Sequence, residues 1–240
     1  MDPYAEVVSG ILIVDDDRTV GGILLSYLER AQLVGRHLDS AAQLTDVIAA
    51  MDPDLIVLDV MLPDADGVEL CAQVRQTNPG VPIILLTAKS QEVDRIAGLT
   101  AGADDYVVKP FSPRELVLRI QSVLRRAAAT PRMNDPGDPL VDGDLVIDLR
   151  SRQARKSDVE LPLTGREFDL LAYFIKHTGA ALTRDDLLRD VWEWDYGDQS
   201  TVTVHVRRLR EKVEHDPAKP SRLVTVWGVG YRWDSATEVS

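Results

Sequence analysis

LIVLD, residues 55–59, carries four apolar residues into a single aspartate. Two further stretches have the same form: ILIVD, Ile11–Asp15, and IILLT, Ile83–Thr87. None alternates polar with apolar, so each reads as a strand covered on both faces. DYVV (Asp105–Val108) and a weaker segment at Leu33–Leu38 bring the number to five. Helical periodicity fills the gaps, over Val20–Arg30, Ala41–Ala50, Val68–Gln76, Val93–Thr100 and Pro113–Arg126. This regular alternation predicts an α/β unit over residues 8–127: a doubly wound, flavodoxin-like sheet of five parallel strands.

Beyond it, residues 128–139 gather Pro, Gly, Asp and Asn without periodicity and read as a linker. Residues 140–236 follow other rules. Short strands at Leu145–Leu149, Gln153–Lys156 and Val159–Leu161 precede three helices. The first helix opens on a capping box, Thr164 with Glu167, and the second on Thr183 with Asp186. A third spans Thr201–Glu214. LVTVWGVGYRW then closes the domain as a hairpin that turns on Gly228 and Gly230. Strands, three helices and a hairpin predict an α+β winged helix-turn-helix.

Composition bounds the function. With 240 residues, 45% hydrophobic and 28% charged, the chain can build two modest cores. Cys71 is the only cysteine, which excludes an intramolecular disulfide. No apolar run approaches the ~18 residues of a membrane span. The start, MDPYAEVVSG, is acidic where a secretory signal is basic. The expectation is a cytoplasmic protein without membrane contact. Net charge is −12: residues 1–126 hold 11 Lys/Arg against 19 Asp/Glu, and residues 127–240 hold 16 against 20. Any nucleic-acid contact must therefore come from a local basic strip rather than from the overall field.

In a doubly wound sheet, chemistry collects at the carboxyl ends of the strands. Asp15-Asp16-Asp17, Asp59 and Thr87 end three of the runs, and Lys109-Pro110 follows a fourth. A single aspartate at a strand end is usually a helix cap. Several converging carboxylates repel one another and need a counter-charge. A hard divalent cation supplies it, and Mg²⁺ is the usual one where phosphate is handled.

ILIVDDD, LDVMLPDADG, LLTA and DDYVVKPFSP together resemble the receiver domain of OmpR/PhoB-family response regulators, and the likeness runs on into the second domain. The resemblance implies that Asp59 accepts a phosphoryl group from a sensor histidine kinase. It implies Mg²⁺ ligation by Asp16, Asp59 and the Met61 carbonyl, with Asp15 in the same cluster. Thr87, the Ala88 amide and Lys109 would hold the phosphoryl oxygens, and Lys109–Pro110 would be cis. Thr87 and Tyr106 would form the switch: the hydroxyl moves to the phosphoryl group and the ring turns inward. Beyond its own phosphorylation and dephosphorylation, no enzymatic activity is expected. Neither Met61 nor Lys89, beside the site, suits the alignment of an attacking water, so a long-lived phosphoaspartate is expected.

The last helix of the first domain places Glu115, Arg119, Ser122 and Arg126 on one stripe, apart from the apolar stripe Leu116, Ile120 and Val123. Such charge stripes are ordinarily solvated. The resemblance implies a two-fold dimer through this face instead. Arg95 would pair with Glu115, Asp105 with Arg119 and Asp104 with Arg126, around an apolar patch of Ile96, Leu99 and Leu118.

In STVTVHVRRLREKVE, Val202, Val206, Leu209 and Val213 share the apolar face, and Thr201, Thr203, Val204, Arg207 and Arg208 point away from it. A basic helix placed third before a glycine-turned hairpin fits the major groove. By resemblance, Arg208 and Thr201 would read bases in double-stranded DNA. Trp192, Ser200, His205, Arg207 and Arg210 would touch phosphates. In the hairpin, Thr225, Tyr231 and Arg232 would contact the backbone. Trp227 stands where some relatives carry an arginine for the minor groove, and an indole lacks that charge. The resemblance also implies dimeric binding to direct-repeat sites and contact with RNA polymerase. Two other readings compete: a metal-dependent phosphatase or phosphotransferase acting on small molecules, and a regulator working without phosphorylation. The first lacks a cap segment for substrate and leaves the second domain unexplained. The second does not need the intact set Asp15, Asp16, Asp59, Thr87 and Lys109.

Overall fold

The computed structural model describes residues 10–88, 91–128 (backbone alone over 126–128), 139–194 and 198–236. The chain divides between residues 126 and 127 into two compact units.

The first unit is a five-stranded parallel sheet in the order β2-β1-β3-β4-β5: β1 Gly10–Val14, β2 Val34–Leu38, β3 Leu55–Asp59, β4 Ile83–Thr87 and β5 Asp105–Val108. Helices α1 (Arg18–Arg30), α2 (Leu44–Met51), α3 (Gly67–Thr77), α4 (Glu92–Thr100) and α5 (Pro113–Ala128) join the strands, and a 3₁₀ turn at Ala41–Gln43 begins what the sequence reads as one longer second helix. The apolar runs behave as expected of doubly covered strands. Ile11, Ile13, Leu55, Val57, Ile84 and Leu86 pack on one side with Leu24 and Leu28 of α1 and Leu116, Ile120 and Val123 of α5. Leu12, Ile56, Leu58 and Leu85, in the opposite register, are also fully buried. Polar groups therefore wait for the strand ends, where helix caps gather too. Asp17 caps α1 through Thr19 N at 2.8 Å, and Asp66 caps α3 through Val68 N at 2.7 Å. Gly67 lies so close to the backbone of Asp59 that a Cβ there would stand 2.1 Å from its carbonyl oxygen.

The second unit has a four-stranded antiparallel sheet, β6 (Leu140–Asp142), β7 (Leu145–Asp148), β8 (Gln153–Lys156) and β9 (Val159–Glu160). Three helices follow, α6 (Gly165–Lys176), α7 (Arg184–Leu187) and α8 (Gln199–Val213). A sheet of β10 (Leu182–Thr183), β12 (Gly230–Trp233) and β11 (Leu223–Val226), in that order, completes it. Both capping boxes form. The second helix is four residues long, and a π-helical turn at Leu188–Trp192 takes over from it. β6 and β10 are absent from the sequence reading because each is two or three residues whose pairing comes from a neighbour. Of the expected linker, residues 129–138 lie outside the described residues.

Gly230 is where β12 crosses β10: a Cβ would stand 2.1 Å from the Leu182 carbonyl oxygen. All four tryptophans lie in the second unit. Gly230→Ala is expected to cost that unit about 3 kcal/mol by overpacking, read as an earlier denaturant midpoint in tryptophan fluorescence. An unchanged midpoint would contradict the register.

Candidate functional site

Asp15 and Asp59 lie at the ends of adjacent parallel strands, almost sequestered at 0% and 4% exposure. The loop after β5 brings Lys109 across both. Its Nζ lies 2.7 Å from Asp15 Oδ2 and 2.7 Å from Asp59 Oδ2. Burial alone would push this ammonium down, but the hydrogen bonds and charges of the two carboxylates outweigh it and hold Lys109 above its usual range. The second oxygens are occupied as well: Asp59 Oδ1 accepts from Met61 N at 3.0 Å, and Asp15 Oδ1 accepts from Asp17 N at 3.0 Å. Asp16 joins them, and ligand atoms of Asp15, Asp16 and Asp59 all fall within 4.8 Å of one another. Three carboxylates facing one ammonium leave two negative charges on hard oxygen donors, a set that fits Mg²⁺. Lys109–Pro110 is cis.

Thr87 ends β4, fully buried, and shares a side-chain hydrogen bond with Tyr106 on β5. Burial holds the Tyr106 phenol above its usual value. Its ring rests on α4, where a Cβ at Gly98 would come within 3.3 Å of it. Ala88 follows at the surface. Lys89 lies outside the described residues.

The candidate dimer face is partly spoken for within the chain. Arg119 binds its own Asp105 at 3.2 Å and its own Glu115 at 2.9 Å. Asp104 is 1% exposed, accepting from Ile83 N and Arg75 Nη2, each at 2.9 Å. Arg95 is half-buried on α4. Leu99, expected in the apolar patch, is a core residue at 1% exposure, and Ser122, expected on the charged stripe, is buried, so neither is on the surface that the helical wheel gives it. Ile96 and Leu118 are exposed as expected. The Arg126 side chain lies outside the described residues.

In the second unit α8 is covered on two sides, by α6 and by α7, and this overturns much of the face assignment. Arg208 is buried, with Nη2 2.8 Å from Oε1 of Glu167, itself at 0% exposure. Lys212 holds the other oxygen at 2.5 Å, and Thr164 N donates to it at 2.9 Å. Burial would raise the Glu167 carboxyl, but Arg208 and Lys212 hold it below the usual carboxylate range. Arg208, expected to point outward to a base edge, is therefore turned inward onto Glu167. Thr201 and Val204 are buried beside it. His205 is buried too, with Nδ1 2.8 Å from the Thr201 carbonyl oxygen and its ring edge-on to Trp192 at 5.1 Å. Trp192 is at 0% exposure, so both rings are buried where phosphate contacts were expected on the surface. The Ser200 hydroxyl is buried. Tyr231 is buried beneath the Arg184 and Arg210 guanidinium groups.

What stays on the surface of α8 is a stripe through Thr203 and Arg207. Among the described residues, Arg207 makes an i,i+4 pair with Glu211 at 3.3 Å. Arg210 ties the helix to the hairpin, donating to the Leu223 carbonyl at 2.8 Å and to Thr225 Oγ1 at 2.9 Å. Arg184, which sequence reading passed over as the first residue of a helix, donates to the Tyr231 hydroxyl at 3.1 Å and lies 3.4 Å from Thr203 Oγ1. Trp227 stands 90% exposed.

The family described as response regulator receiver domain matches residues 11–121, and that described as transcriptional regulatory protein, C terminal, matches residues 158–233. The chain is 41% identical over 236 residues to the transcriptional regulatory protein ResD of Bacillus subtilis (strain 168), an alignment spanning 95% of this chain and 97% of that one. Among solved structures, the response regulator DrrB, a Thermotoga maritima OmpR/PhoB homolog, is 31% identical, with 95% of this chain and 100% of that chain covered and a TM-score of 0.51. A point mutant of RitR is 26% identical with the same coverage and a TM-score of 0.73. Among the described residues, no helix is long and apolar enough to cross a membrane.

Removing Arg208 leaves the Glu167 charge buried with half its compensation. Arg208→Ala is expected to cost the second unit roughly 3–5 kcal/mol, seen as a lower thermal midpoint in tryptophan fluorescence. Because the folded Glu167 carboxyl is depressed, its stabilisation is present above the unfolded value and is lost as pH falls through the folded one. Glu167→Gln should therefore flatten the acid limb of the same transition; an unaltered limb would refute this role.

Proposed function

The chain belongs to the response regulators of OmpR/PhoB type, two-component proteins with a DNA-binding domain, and from that membership we propose that Asp59 is the phosphoacceptor that controls its binding to DNA. The observation that carries this reading is Lys109 Nζ at 2.7 Å from both Asp15 and Asp59 at the strand ends. Receiver domain, linker and winged-helix domain are taken as residues 8–127, 128–139 and 140–236.

In the proposed step an Asp59 carboxylate oxygen attacks the phosphorus of a phosphohistidine on a sensor kinase. The new O–P bond forms as the N–P bond breaks, and the imidazole leaves. Lys109 faces the growing charge on the phosphoryl oxygens, and Thr87 Oγ1 and the Ala88 amide supply further donors. Asp15, Asp16, Asp59 and the Met61 carbonyl would hold Mg²⁺, which supplies charge neutralisation when bound. The switch follows from one hydroxyl with two claims on it. A phosphoryl oxygen that engages Thr87 competes with Tyr106, whose ring rests against Gly98 of α4. The change thereby reaches the α4–β5–α5 face through a side chain already in contact with it.

That face is the proposed dimer surface. Ile96 and Leu118 supply exposed apolar area, and Glu115, Arg119, Arg95 and Asp105 supply charges that would exchange partners within the chain for partners across the two-fold axis. The dimer would set two winged helices on direct-repeat sites in the cytoplasm, beside RNA polymerase. Thr203 and Arg207 are the residues of α8 offered to the major groove, with Arg184, Arg210 and Thr225 near the backbone.

Asp59→Asn is expected to abolish labelling by acetyl phosphate or a kinase while leaving the fold intact; retained label would place the acceptor elsewhere. Arg207→Ala is expected to weaken binding to every duplex alike and to lower the salt slope of log affinity by about 1. Loss confined to one sequence would make Arg207 a base reader instead.

A further inference from the structure

Asp15 lies one residue beyond β1, where the sheet ladder runs out. Its N–H still donates to the Leu38 carbonyl at 3.0 Å. Its own carbonyl oxygen turns to a side chain instead and lies 2.7 Å from Nε2 of His37 on β2. A carbonyl can only accept, so Nε2 carries the hydrogen. His37 stands opposite Ile13 in the β1–β2 register and is half-buried. Its ring lies against Gly21, a buried residue of α1, where a Cβ would stand 2.5 Å from Cε1 and Nε2. A glycine inside a helix lowers its propensity, and here the missing methyl is the space that the ring fills.

A half-buried histidine on a carbonyl is ordinarily no more than a satisfied polar group. What matters is which carbonyl it holds. The Asp15–Asp16 peptide joins two of the three carboxylates that converge on the pocket. Asp15 is fixed through its side chain as well, by Lys109 and by Asp17 N. Asp16 is the exposed member of the three, so the backbone on either side of it sets its direction. On one side that backbone is fixed by Asp17, whose side chain caps α1 at Thr19 N. On the other it is fixed by His37. A turn of the intervening peptide plane would re-aim the Asp16 carboxylate.

We propose that His37 is a positioning residue for the divalent cation: by holding the Asp15 carbonyl it directs Asp16 and so sets the affinity of the cluster. The inference rests on the Mg²⁺ reading above and adds a residue to it. Groups that orient metal ligands without touching the metal are worth about 10–100-fold in affinity. The space at Gly21 belongs to the same device, since an alanine there would drive the ring off the carbonyl.

The test uses the full chain and Mn²⁺, which takes the same oxygen donors as Mg²⁺, with the free ion read from its electron paramagnetic resonance signal. Asp16→Asn identifies the share of binding that belongs to the pocket in a chain of net charge −12. His37→Leu keeps the bulk and removes the donor, and is expected to raise Kd for Mn²⁺ about tenfold. Gly21→Ala is expected to do the same with His37 still in place. It gains helix propensity, so it tests the bond even where His37→Leu fails to fold. His37→Gln, whose amide keeps an N–H donor, should recover most of the affinity. Each variant is measured well below its thermal midpoint by circular dichroism. A histidine that only supports the fold would lower that midpoint and leave Kd unchanged, and the inference would then fail while the metal site stands. Equal loss in His37→Gln would assign the effect to ring packing rather than to the donor, and would overturn it too. A parent chain whose Mn²⁺ binding is not weakened by Asp16→Asn removes both readings.

Discussion

A carboxylate withdrawn completely from water is best held by a positive charge that faces it, and both units of this protein use that arrangement. In the first, Asp15 and Asp59 are almost completely buried, and Lys109 answers both through two bonds of 2.7 Å. The ammonium reaches them from the loop after β5, so strand order and loop course together decide whether the pocket is electrically tolerable. In the second, Glu167 is fully buried at a helix start, and Arg208 and Lys212 reach it from α8. One arrangement leaves surplus negative charge beside the exposed Asp16, on oxygens that fit a divalent cation. The other closes on itself and holds two helices together.

The difference between those outcomes explains what could be read from residues alone. LIVLD, ILIVD and IILLT announce strands covered on both faces, and such strands expel their charges at one edge of the sheet. Asp15, Asp59, Thr87 and Lys109 therefore converge for reasons of local pattern, and the structure brings them together. Strand and helix limits in the first unit follow almost residue for residue. Both capping boxes are equally plain, because a cap acts within four residues.

The second unit is harder to read, for a physical reason. A helical wheel gives one apolar face to α8, yet α6 and α7 cover it from two directions. Arg208 looks like a solvent-facing cation until Glu167, far back in the chain, is known to lie beneath it. His205 and Thr201 are lost from the candidate surface in the same way, since a histidine bonded to the carbonyl four residues back is as much at home inside as outside. Arg184 errs in the opposite direction. As a helix-starting residue it gives no sign of its contact with Tyr231, which comes from strand pairing at the far end of the chain.

The coverage of α8 also bears on how such a regulator can acquire new targets. Eight of the helix's residues are buried, Arg208 among them, and a change at any of these is felt first as lost stability. Thr203 and Arg207 can be exchanged with little effect on the core. Duplicated copies of the gene would therefore vary their contacts with a partner through a very short alphabet of positions on this helix. The tip of the hairpin, which supports nothing beneath it, offers them a second and less constrained place to vary.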